Sequence, residues 1–108
     1  MKSPIVLRRV SGHSMWPTLV QDDIVAATPL VKLKPGAVVI ARVKGREYIK
    51  RVESIENGQV RLLGDNYYHS HDSRQFGLLS RGQIIGTVLG YPRSFAGTVR
   101  SISKPAQA

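Results

Sequence analysis

The sequence contains no cysteine. That excludes a disulfide framework and any thiolate nucleophile or metal ligand. Acidic residues are scarce: 7 Asp and Glu stand against 16 Lys and Arg, for a net charge of +9. Such an excess points to an anionic partner, whether nucleic acid, an anionic membrane surface or an acidic protein. Aromatics are few, 6% of the chain, and the basic residues are scattered rather than gathered into a block. A base-stacking platform needs more of both, so nucleic acid is not the expected partner. No apolar run approaches the ~20 residues required to span a bilayer; Ala37-Val38-Val39-Ile40-Ala41 is among the longest. The start of the chain has Lys2, Pro4 to Leu7 and then Arg8-Arg9. That is too short for the apolar region of a signal peptide and has no small-residue cleavage site. No transmembrane anchor is expected. Helical periodicity of useful length and internal repeats are also missing.

What is there reads as one small domain. A chain of 108 residues with 42% hydrophobic content can build a modest core. Short apolar runs predict strands at Ile5–Val10, Ile24–Ala27, Val38–Val43, Glu47–Ser54, Val60–Leu63 and Ile84–Leu89. Lys44-Gly45-Arg46 and Glu56-Asn57-Gly58 read as turns between them. Residues 64–77 are polar and irregular, a long loop of the kind that usually carries function. The expected class is all-β, a small coiled barrel. The domain is expected over residues 1–93, with 94–108 as a partly frayed tail rich in Ser, Ala and Pro.

Three stretches stand out. The first is Ser11-Gly12-His13-Ser14-Met15-Trp16-Pro17-Thr18-Leu19. Pro17 forbids a helix interior here, and Gly12 permits a tight bend or a close approach. Ser14 therefore stands on a rigid knuckle, although a loop serine is common. The second is Lys50-Arg51-Val52, closing an alternating run from Arg46. Alone, Lys50 reads as an exposed strand lysine. The third runs from Gly64-Asp65-Asn66 through Ser70-His71-Asp72-Ser73-Arg74 to Gly77. His69 and His71, with Asp72 behind them, hint at metal ligands, but no third well-spaced ligand accompanies them. No metal and no cofactor is expected. Met15, Trp16 and Leu19 read as core or pocket lining.

In this order the three blocks resemble the signal peptidase I family of serine endopeptidases, over Val10 to about Tyr91. Within it, the short form is most similar to the maturation proteases of nickel-type superoxide dismutase. The departures are Asp22-Asp23, where Gly-Asp is usual, and Tyr67-Tyr68, where a proline is often found. The resemblance implies a barrel-like catalytic core and a Ser/Lys dyad, with Ser14 as nucleophile and Lys50 as base. A serine hydroxyl needs such a base, and a lysine serves only when burial lowers it from its ordinary ~10.4. The resemblance implies further that Ser70 hydrogen-bonds Lys50, that Asp72 and Arg74 brace the loop by an ion pair, and that the Ser14 backbone N–H serves the oxyanion. Gly12 has no side chain to add a second donor. Asp65-Asn66 is expected to cap the turn into the loop.

The implied partner is a protein substrate bound as an extended segment, a superoxide dismutase precursor in the cytoplasm that loses its N-terminal propeptide. Three alternatives stand beside this reading. One is an unanchored signal peptidase I acting on exported preproteins. Another is a self-cleaving repressor-type protease core, against which no helix-turn-helix precedes the knuckle. The last is a basic binding module without enzymatic activity, in which Ser14 and Lys50 are dispensable.

Overall fold

A computed structural model describes residues 4–90 and the backbone of residues 105–107. Seven strands precede residue 91: β1 (Val6–Ser11), β2 (Ile24–Thr28), β3 (Val38–Val43), β4 (Arg46–Glu56), β5 (Gln59–Leu63), β6 (Leu79–Ser80) and β7 (Ile84–Gly90). They form one antiparallel sheet in the order β6-β5-β4-β3-β7-β2-β1. An eighth strand, β8 (Pro105–Gln107), runs parallel to β1 and meets β4 at a single pair, Tyr48 with Gln107. The class is all-β, as the alternating runs predict, but among the described residues the seven strands through β7 do not close into a barrel by themselves. Where closure would require a ladder between β1 and β4, only the short β8 intervenes. The predicted frayed tail, residues 94–108, lies outside the described residues apart from β8. No helix among the described residues is long and apolar enough to cross a membrane.

Two hairpins are tight because their turn residues accept left-handed backbone. Lys44 and Gly45 (φ 50° and 81°) close β3 onto β4, and Asn57 and Gly58 (φ 52° and 76°) close β4 onto β5. Consecutive positive φ values match the twist of the flanking strands. Arg46, predicted in the first turn, is the first residue of β4 and pairs with Val43.

Residues 64–77 are not structureless. They hold a 3-10 turn at Tyr67–His69 and one helical turn, α1 (Ser73–Phe76). Asp72 caps α1 by accepting from the Arg74 N–H, while the Gln75 side chain accepts from the Asp72 N–H. This reciprocal cap explains why a turn forms among polar residues.

Period-2 alternation along β3 and β4 divides the core in two. Ile40 and Ile49 pack with Val10, Met15, Leu19 and Val25 on one side. Val39, Tyr48 and Val52 pack with Val60, Leu62 and Leu79 on the other. Burying such a Leu, Ile or Met contributes about 2 kcal/mol each. Lys50 lies between Tyr48 and Val52 in this alternation and opposite Val39. Its backbone position therefore directs a lysine to a face built for hydrocarbon.

Candidate active site

The knuckle follows β1. Gly12 takes φ 98° and donates its N–H to Gln21 Oε1 at 2.6 Å, which turns the chain back. Leu19 N–H then bonds Met15 C=O at 2.9 Å. That helical spacing sends Met15 and Leu19 into the core together, both fully buried. Trp16, on the opposite side of this turn, is 55% exposed. Of the two roles expected for it, core or pocket lining, it does not take the core one. Ser14, anchored between the bend and Met15, is held at 2% exposure.

Lys50 reaches the knuckle from the centre of β4. Its Nζ lies 2.5 Å from Ser14 Oγ in a buried hydrogen bond. Lys50 is itself 1% exposed. Burial pulls its pKa down to about 8, the Asp72 charge opposing and the Arg74 charge assisting. Desolvation disfavours the ammonium and outweighs the opposing Asp72 charge. The Tyr48 ring, 5.6 Å from Nζ, forms one wall of this environment. The pair thus has the chemical elements of an activated hydroxyl: an alcohol and, in contact with it, an amine that is neutral in about a tenth of molecules at pH 7.

Asp65 and Asn66 do not cap the turn that follows them. Asp65 instead receives two parallel hydrogen bonds from Arg51, both 2.8 Å, and one from Thr18 Oγ1 at 2.5 Å. Asn66 donates its backbone N–H to Ser14 C=O at 2.7 Å and its side-chain amide to His13 C=O at 3.1 Å. The carboxylate has stronger partners than the local backbone, because a fork-shaped guanidinium stands on the adjacent strand. Burial would raise the Asp65 pKa, but the bonds from Arg51 and Thr18 and the Arg51 charge bring it below its ordinary value. One carboxylate thereby ties the knuckle to the strand bearing Lys50. Nothing local in the sequence marks this clamp, because Thr18, Arg51 and Asp65 stand far apart along the chain.

Asp72 is completely buried. Its carboxylate accepts from Arg74 Nε at 2.9 Å, Arg74 Nη2 at 3.0 Å and the Gly64 N–H at 2.8 Å. Burial pushes its pKa up, but hydrogen bonds from the Arg74 side chain, the Gly64 backbone and the Arg74 backbone prevail and hold it at about 2. Arg74 also donates to Tyr67 C=O and lies over the Tyr67 ring, 4.0 Å from its centroid. Asp72 and Arg74 are therefore an ion pair that closes the loop upon itself.

Ser70 is placed differently from the expectation. Its Oγ is buried and forms no hydrogen bond, so the bond to Lys50 is not made. The hydroxyl favours the charged form of Asp72 while standing outside hydrogen-bond geometry to it. It does converge on the knuckle. A Cβ added at Gly64 would collide with both Ser70 side-chain atoms and stand 2.7 Å from Ser14 C=O. Gly64 is thus the point where the Ser70 loop and the Ser14 knuckle approach through a gap that admits only glycine. His71 packs its ring on Tyr48 and Phe76, at centroid distances of 5.7 and 5.5 Å. Among the described residues no three His, Cys, Asp or Glu side chains gather as a metal site.

Residues 2–89 match the family described as Peptidase S24-like. A curated relative, the mitochondrial inner membrane protease subunit 2 of Saccharomyces cerevisiae, is 33% identical over 96 residues, covering 79% of this chain and 53% of the yeast protein. The chain spans about half the length of that relative. These matches agree with the signal-peptidase-like, serine-type kind that the sequence blocks imply, and they carry no information on nickel superoxide dismutase. With the knuckle, the Lys50 strand and the clamped loop all inside the matched residues, the chain belongs to the Peptidase S24-like family.

Proposed function

We propose that this chain is a serine endopeptidase in which Ser14 is the nucleophile and Lys50 the general base. The observation that carries the reading is the buried contact of 2.5 Å between Lys50 Nζ and Ser14 Oγ. A neutral Lys50 amine takes the Ser14 proton as Oγ attacks the scissile carbonyl. The oxyanion of the tetrahedral intermediate meets the Ser14 backbone N–H. The Lys50 ammonium then returns the proton to the leaving amine, and the acyl-enzyme is released by a water that Lys50 deprotonates in turn. Once protonated, Lys50 needs acceptors, and the unbonded Ser70 hydroxyl is the buried group assigned to receive one of its N–H bonds. Asp72 and Arg74 hold that loop in place. No step calls on a metal or cofactor.

The substrate assigned to this machinery is a protein segment bound in extended form, the N-terminal propeptide of a nickel superoxide dismutase precursor in the cytoplasm. This rests on the sequence resemblance alone. A second reading, an unanchored signal peptidase I acting on exported preproteins, stands beside it; the yeast relative is named for an inner membrane protease. Co-expression with each precursor separately, followed by mass spectrometry of the new N-termini, tests the choice. Cleavage of the dismutase precursor, abolished in Ser14→Ala and Lys50→Ala variants that keep the wild-type circular dichroism, is the expected result. Cleavage of the preprotein alone selects the second reading. Activity in either folded variant rejects the dyad.

A further inference from the structure

The edges of β1 and β4 face each other across a slot one strand wide. At its base Arg8 of β1 grips Glu47 of β4 through two hydrogen bonds, of 2.6 and 3.1 Å. Ahead of it, Ser14 and Lys50 meet, three residues beyond β1 and midway along β4. Both strand edges are available on this side. Val10 turns its N–H and C=O toward the other neighbour, donating to Asp23 C=O at 2.7 Å and accepting from the Asp22 N–H at 2.9 Å. By alternation, the peptide groups of Arg9 and Ser11 face the slot. On the β4 side, β5 pairs only from Arg51 onward, which leaves Arg46 to Lys50 unpaired by it.

The slot is occupied by the chain itself. Pro105, Ala106 and Gln107 run parallel to Arg9, Val10 and Ser11, and Gln107 also pairs with Tyr48. The direction is informative. Advancing from 105 to 107 moves along β1 toward Ser14 and along β4 toward Lys50. An extended segment added to a strand edge and aimed at a reactive hydroxyl is the arrangement of a substrate in β-augmentation.

We propose that the slot between β1 and β4 is a peptide-binding groove and that residues 105–107 are its resident ligand in cis, which a substrate strand must displace. The groove as a binding site stands on the strand pairing; its meaning as a brake on cleavage rests on the peptidase reading above. A tethered occupant competes at an effective concentration in the millimolar range. For a free peptide of intrinsic Kd near 0.1 mM, that weakens apparent binding by about tenfold.

The experiment uses the full chain with Ala106→Pro and Gln107→Pro together, since proline supplies no N–H to a ladder. Both this variant and the wild type carry Ser14→Ala, so that binding is read without cleavage. The probe is a fluorescein-labelled peptide of sequence SISKPAQA, followed by anisotropy. Binding about tenfold tighter to the proline variant supports the proposal; equal affinity overturns it. Amide exchange supplies a readout on the fold. The Arg9 and Ser11 amides should exchange faster in the proline variant while the Val10 amide, bonded to Asp23, stays protected. Unchanged protection at Arg9 and Ser11 also overturns the proposal. If the peptidase reading alone is wrong, the affinity difference persists while chains with Ser14 intact cleave nothing.

Discussion

Lys50 is the residue on which the proposed chemistry turns, and it is costly where it stands. Its burial among Tyr48, Val52 and Val39 lowers its pKa from 10.5 to about 8. The unfolded chain therefore binds more protons than the folded one between these values, and stability must rise with pH across the window from about 8 to 10.5. Lys50→Met should remove that rise and be more stable than the wild type at pH 7, because an apolar chain of similar length replaces a buried cation. Chemical denaturation at pH 7 and at pH 10 checks both signs. Ser70→Ala should leave stability unchanged or raise it slightly, since the hydroxyl is buried without a partner. If Ser70 receives the protonated Lys50, kcat should nevertheless fall by roughly one to two decades, the worth of one hydrogen bond to a charge at ~1.5–3 kcal/mol. A loss of stability with an unchanged kcat would return Ser70 to a packing role.

At the scale of elements, the site is three pieces held by two carboxylates. Asp65 ties the knuckle through Thr18 to β4 through Arg51, and Asp72 ties the loop to Arg74 and to the Gly64 N–H. Asp72→Asn should cost about 2–3 kcal/mol at pH 7, the range of a charge-assisted hydrogen bond lost at a buried site. Because its folded pKa is depressed to about 2, the stabilisation is present above the ordinary carboxylate value of 3.8 and is lost as pH falls through about 2. Denaturant midpoints at pH 7 and pH 2.5 should show the difference between wild type and variant shrinking in acid. Gly64→Ala should fold yet lose most of its kcat, since the new Cβ must push Ser70 or the Ser14 carbonyl aside. Wild-type activity in that variant would show that the gap has room to spare. The strands and both glycine turns were legible because alternation and positive-φ residues are local signals. The capped turn at Ser73–Phe76 was legible in principle, with Asp72 and Gln75 at cap spacing, but a single turn has no periodicity to draw attention. The Asp65–Arg51–Thr18 clamp was not, because it joins residues far apart in sequence that nothing local requires to meet.

Taken whole, the molecule is one sheet in which β1 and β4 approach with only the short β8 between them, and this seam lies beside Ser14 and Lys50. The all-β class followed from run lengths and turn spacing. Closure did not, because it depends on which distant strands pair. Likewise the Ser14–Lys50 meeting was suggested by the order of the blocks and by family resemblance, whereas its burial and contact distance belong to the fold. The exposed Trp16 shows the limit of reading hydrophobicity alone: in a one-turn knuckle, spacing decides which apolar residue faces inward. The charge of +9 belongs to this scale too: if the proposed precursor is acidic, this field raises its encounter rate. Cleavage of such a precursor should slow in kcat/KM, with kcat unchanged, as salt is raised from low to physiological ionic strength.

The pH dependence of kcat/KM, measured on a peptide spanning the scissile site of whichever precursor is cleaved, tests the central claim most directly. If neutral Lys50 is the base, the rate rises tenfold per unit at low pH and levels off with a midpoint of about 8, and folded Lys50→Met shows no activity at any pH. An ascending limb near the histidine value of about 6.5 that vanishes in His13→Ala, or activity surviving in Lys50→Met, would contradict it.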